Sequence, residues 1–117
     1  MAFSFEKLTV WKEAIELTGL IHELTLSFPK EELYVLTSQI KRATDSIALN
    51  IAEGSTGQTD KEFNRFLGIA LRSGIEVVSC LYIAKRRKLI NEITFAEYYR
   101  VIEKLVIKIQ ALRKAIR

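Results

Sequence analysis

Proline is almost missing from this chain: Pro29 is the only one in 117 residues. Helix interiors therefore go unbroken over most of the length, and five glycines leave few other interruptions. Cysteine also occurs once, at Cys80. That excludes an internal disulfide and fits a reduced, cytoplasmic setting. The single histidine, His22, follows Gly19 at the position three before it. Two Glu-x-x-His pairs within one subunit, the donor set of a di-metal bundle centre, are therefore excluded. No run of 18 uncharged apolar residues occurs, so no membrane span is expected. The start MAFSFEKL lacks the basic, apolar and cleavage regions of a signal peptide.

What is present is ordinary for one globular domain over residues 1–117: 49% apolar and 27% charged residues. The charge is unevenly placed. Residues 1–84 hold 8 Lys/Arg against 11 Asp/Glu, and residues 85–117 hold 10 against 3. The net charge of +4 thus belongs to the last third, which points to an acidic partner, nucleic acid first.

Apolar periodicity predicts four helices, at about 6–27, 31–53, 60–88 and 95–116. Val10, Ala14, Leu17, Ile21, Leu24 and Phe28 step by four and three, as in a bundle seam. So do Phe63, Leu67, Ala70, Gly74, Val77, Leu81 and Ala84, and then Phe95, Tyr98, Ile102, Leu105, Ile109, Leu112 and Ile116. Gly54 is expected to cap the second helix in the left-handed conformation. Thr59 with Glu62, and Thr94 with Glu97, read as capping boxes for the third and fourth. Connections this short favour antiparallel neighbours, giving an all-α, up-down-up-down four-helix bundle.

The second helix carries two stripes. At 100° per residue, Leu36, Ile40, Ala43, Ile47 and Ile51 occupy one arc of roughly 80°. Gln39, Arg42, Ser46, Asn50 and Glu53 occupy the neighbouring arc. Polar groups beside a core seam need partners. Arg42 is expected to pair with Glu76, while Asn50 and Glu53 are expected to reach Arg65, Ser73 or the glycine loop. The stripe is read as a structural network fixing register, with a subunit or lumen contact and a ligand-binding face as the alternatives.

Signals for catalysis are weak. Cys80 lies among apolar residues with no histidine nearby and reads as a small buried hydrophobe. The loop GSTGQTDK resembles a phosphate-binding loop only superficially, since its glycine spacing is wrong and a helix precedes it. No enzyme activity, metal, cofactor or small-molecule substrate is expected. The basic residues are Lys85, Arg86, Arg87 and Lys88 at the end of the third helix. On the fourth they are Arg100, Lys104 and Lys108 in an i, i+4, i+8 row, then Arg113, Lys114 and Arg117. Cations near helix C-termini favour the macrodipole, and a lysine row often faces solvent. The functional alternative is a phosphate-contacting surface with salt-dependent, sequence-independent affinity. Tyr82 and Tyr99 are the aromatics suited to base stacking.

At these residues the chain resembles the four-helix-bundle proteins encoded in intervening sequences of bacterial 23S ribosomal RNA genes, often labelled a ribosomal-protein family. The resemblance rests first on Phe5, Leu8, Val10 and Trp11, then on Phe28, Pro29 and Glu32. It continues in Gln39, Ile40, Arg42, Ala43, Ser46, Ile47, Asn50, Ile51, Ala52, Glu53 and Gly54. Glu62, Phe63, Phe66, Leu67, Ile69 and Ala70 follow, then Ser73 and Glu76. Gly74 departs from the pattern, standing where a bulkier residue is usual. The resemblance implies a homopentameric ring around a channel and kinship with the accessory proteins of diversity-generating retroelements, which look like nucleic-acid-binding pentamers. It supplies no catalytic residues. The expected partners are copies of the chain itself and RNA or DNA, with a protein-interaction scaffold as the alternative.

Overall fold

The apolar seams find one another in a computed structural model that describes residues 2–57 and 59–116. Loop position Gln58 and the terminal cation Arg117 lie outside the described residues. The helices are α1 (Thr9–Thr25), α2 (Ser38–Ser55), α3 (Asp60–Arg86) and α4 (Glu92–Ile116). Each packs on its neighbours in sequence, and α1 closes against α4 more loosely. The result is an all-α four-helix bundle of 43 × 22 × 21 Å. Its long dimension is that of a 27-residue helix at 1.5 Å per residue.

Leu17, Ile21, Ile40, Ile47, Ile51, Leu67, Val77, Leu81, Ile102 and Ile109 form the fully buried centre. All belong to the seams read from periodicity. By length and composition α3 is apolar enough to cross a bilayer. In the bundle its seam residues are packed between α2 and α4.

Helix ends differ from expectation where side chains outbid periodicity. Residues Ser4–Lys7 form a separate 3-10 turn, because Phe5 folds edge-on against Trp11 at 4.8 Å and the Glu6 carboxylate accepts from Phe3 N. The second helical stretch does begin near residue 31, but as a 3-10 turn (Lys30–Glu32) and a π segment (Leu33–Thr37) leading into α2. Helix α4 starts at Glu92 because Asn91 Oδ1 accepts from Thr94 N at 2.8 Å. The cap is therefore Asn91, and the expected Thr94–Glu97 box does not mark the helix start. Thr59 does cap α3, accepting from Glu62 N at 3.1 Å, while the Glu62 carboxylate is held by Arg65 at 3.0 Å.

Gly54 is a correction of kind. Helix α2 runs past it to Ser55, and no described glycine has positive φ. Its role is close approach: a Cβ there would lie 2.5 Å from Phe66 Cβ. Gly74 works similarly against α4, where a Cβ would meet Val106 Cγ2 at 2.8 Å. A left-handed residue does close α3, at Lys88, φ 62°. Leu89 N donates to Ala84 O and Lys88 N to Lys85 O, the Schellman arrangement that closes α3.

Gly19 is the contrasting case, an exposed mid-helix glycine with nothing within 4 Å of a built Cβ. Gly19→Ala should stabilise the bundle by about 1 kcal/mol through helix propensity alone. A urea melt in which the midpoint stays the same or falls would show that something does crowd this position.

Candidate nucleic-acid interface

The polar stripe of α2 meets α3. Ser46 Oγ and Ser73 Oγ are 2.9 Å apart. Asn50 Nδ2 donates to Ser46 O at 2.8 Å and to Ser46 Oγ at 2.9 Å, and Ser73 Oγ donates back to Ile69 O. Gln39 Nε2 donates to the Glu76 carboxylate. The expected Arg42–Glu76 pair is thus replaced: Gln39, one turn earlier, occupies Glu76, and Arg42 remains exposed. Glu53 is exposed, and its charge helps raise the Arg65 pKa, after the hydrogen bond and charge of Glu62. Two rungs, Gln39–Glu76 and Ser46–Ser73, therefore join α2 to α3 beside the apolar seam, and Asn50 braces Ser46 from within α2.

Cys80 is buried. Burial, with the nearby Glu76 charge, pushes its thiol up to about 11. At pH 8 it is therefore almost wholly protonated and a poor nucleophile. An aromatic disulfide reagent at pH 8 should label native protein only as fast as the chain unfolds, and low urea should accelerate it. Stoichiometric labelling within seconds would contradict this. His22 is exposed, and among the described residues no three His, Cys, Asp or Glu side chains group to hold a metal ion.

The nine candidate cations divide into two sets. Four are engaged within the chain. Arg87 Nη1 donates to both Glu32 oxygens at 3.0 and 3.2 Å. Lys108 Nζ meets Glu13 Oε1 at 2.8 Å. Arg113 donates to Asn64 Oδ1 at 3.2 Å and Gln110 Oε1 at 3.4 Å. Lys85 lies 3.6 Å from Glu92 and sits over the rings of Phe95 (4.0 Å) and Tyr82 (5.2 Å). Arg86, Lys88, Arg100, Lys104 and Lys114 make no ion pair among the described residues, and all are exposed.

Position separates these five further. The Arg100–Lys104–Lys108 row turns about 40° per step around α4, so it drifts from solvent toward α1. There Lys104 shares a groove with Glu13 and Glu16. Arg86 and Lys88 are exposed where α3 turns into α4, and Arg100 is exposed on α4 about 12 Å beyond its start at Glu92. The left-handed backbone at Lys88 sets that side chain at the corner of the turn.

Two features were hidden from the sequence. Glu32, 55 residues from Arg87, withdraws a cation that looked free, and no local spacing signals such a pair. Tyr82, Phe95 and Tyr99 form an aromatic cluster beside the basic turn, with ring centroids 4.8 and 5.7 Å apart. Arg72 is also exposed on α3, about 15 Å along the axis from Tyr82 and roughly 80° around it. Between α3 and α4, Leu71, Ile75, Val106, Ile107 and Ala111 line an apolar surface groove. Ile75 and Ile107 are 58% and 61% exposed in it.

Comparison with known proteins agrees with this architecture. No curated protein matches the sequence. Among solved structures, the chain is similar to a crystal structure from Bacteroides thetaiotaomicron VPI-5482, of a protein with unknown function from the S23 ribosomal protein family. The TM-score is 0.84 at 22% identity, covering 91% of this chain and 99% of that one. At that identity the likeness bears on the fold. A family model described as 23S rRNA-intervening sequence protein matches residues 6–111, taking in α1, α2, α3 and most of α4. The chain therefore belongs to the 23S rRNA-intervening sequence protein family.

Proposed function

We propose that this protein is a non-enzymatic, oligomeric, nucleic-acid-associated bundle of the cytoplasm. Its phosphate-contacting surface is the turn between α3 and α4. One observation carries the reading: Arg86 and Lys88 at that turn, and Arg100 on the α4 segment that follows it, are exposed without ion-pair partners among the described residues, while Arg87 and Lys108 are held by Glu32 and Glu13. Such a surface binds through counterion release and so weakens steeply with salt. The apolar groove between α3 and α4 supports self-association, since exposed apolar strips mark protein contacts. Assembly, a pentamer in the family reading, would repeat the basic turn in each subunit and raise avidity.

The same groove favours a second reading, a protein-interaction scaffold such as an accessory partner of a nucleic-acid enzyme, with no direct nucleic-acid contact. Native mass spectrometry with and without RNA separates the two. The first reading predicts an integral multiple of the 13.4 kDa subunit that gains mass with RNA and loses it after nuclease. A 13.4 kDa monomer unchanged by RNA would overturn it. A protein partner retained through nuclease and high salt would favour the scaffold.

A further inference from the structure

The aromatic cluster beside the basic turn bears on which form of nucleic acid the turn receives. Tyr82 is 50% exposed, although its ring packs edge-on against Phe95 at 4.8 Å. That packing, with the Lys85 ammonium 5.2 Å from the ring centroid, holds the ring in place while leaving half the residue open. Tyr99 is less exposed and lies against Phe95, so it supports the cluster. Arg86 stands one turn beyond Tyr82 on nearly the same line of α3, about 6 Å along the axis. It is exposed and makes no ion pair among the described residues.

We infer that this surface receives an unpaired nucleic-acid strand, one base stacking on Tyr82 while a neighbouring phosphate meets Arg86. The inference rests on the nucleic-acid reading above and narrows it. A duplex keeps its bases stacked on each other and offers this ring no base face; a single strand does. An immobilised aromatic beside a free cation is the arrangement that binds strands with little sequence preference. Lys85 is held between its rings and Glu92 and serves to fix the ring, leaving phosphate contact to Arg86.

The test is fluorescence anisotropy with two probes of equal phosphate number, a labelled twelve-nucleotide uridine strand and a fully paired RNA duplex. The full chain should bind the uridine strand at least about tenfold more tightly than the duplex. Tyr82→Leu, which keeps an apolar group against Phe95, should lose about tenfold for the strand and leave the duplex unchanged. Tyr82→Phe should restore the strand affinity. The salt slope should stay constant in Tyr82→Leu and fall by about 0.7 in Arg86→Gln, the loss of one phosphate contact. Thermal melts confirm that each variant is folded. Photocrosslinking with 4-thiouridine in the strand should place the adduct on Tyr82. Equal binding of both probes with Tyr82→Leu at wild-type affinity would overturn the stacking inference and leave the basic turn intact. Failure of the wild-type chain to bind either probe at low salt would overturn both readings.

Discussion

Gly54→Ala lowers the stability of the bundle by about 2 kcal/mol, although alanine is the better helix former. Propensity favours the substitution by about 1 kcal/mol. Against it, the new Cβ would lie 2.5 Å from Phe66 Cβ and 3.1 Å from Phe63 Cδ1. The first is the decisive contact, because a Cβ is fixed to its backbone and cannot swing aside. Helices α2 and α3 must part, which loosens Ile51 and Leu67, both fully buried. Overpacking of this kind costs about 1–3 kcal/mol and at times more. In urea the midpoint should fall with an unchanged slope, and the melting temperature should drop by roughly 8 °C. Gly19→Ala supplies the matched control, with the opposite sign expected for the same substitution. If Gly54→Ala is neutral or stabilising, the helices do not approach as closely as described.

Neutralising Arg86, Lys88 and Arg100 together lowers nucleic-acid affinity by about 100-fold at 50 mM salt and flattens the salt slope by about 2. Neutralising Lys108 and Arg113 removes nearly as much charge but changes affinity by no more than about threefold, through long-range field alone. The contrast follows from the partners: Lys108 already meets Glu13 and Arg113 meets Asn64 and Gln110. Folding should survive the triple change, since all three side chains are exposed and make no ion pair among the described residues, and exposed charges contribute about 1 kcal/mol or less each. Circular dichroism melts of both variants check this, and filter binding measures the affinities. Equal losses in the two variants would mean that total charge, and not the turn, governs association.

The helices and their buried faces were legible because spacing alone encodes them. Every seam residue of α1 from Val10 to Leu24 is buried, as is Phe28 just beyond it, and the four-three stepping is what a core-facing helix requires. Helix ends were less legible, because they depend on which side chain reaches a free backbone group. Asn91 captured Thr94 N ahead of the expected box, α2 ended at Thr56 in the right-handed region without the expected Gly54 cap, and α3 closed on a left-handed lysine, Lys88. Gly54 was correctly singled out for the wrong reason: a glycine near a helix end looks like a cap, whereas its need for space arises from Phe66 on another helix. The polar stripe was visible as a pattern, but its pairing was not. Gln39 and Ser46 found Glu76 and Ser73 through the register of α2 on α3, a tertiary property, while Asn50 turned back to Ser46. For the same reason the basic residues could be counted but not sorted. Glu13 and Glu32 neutralise two of them across separations of 95 and 55 residues.

A salt titration of RNA binding by the intact wild-type protein addresses the central claim most directly. Affinity for a labelled RNA is measured between about 50 and 200 mM monovalent salt. Binding should be measurable at the lower end, with a log–log slope of about −2 or steeper, reflecting at least about three phosphate contacts per subunit surface. Absence of binding at 50 mM, or binding whose strength does not change with salt, would contradict it.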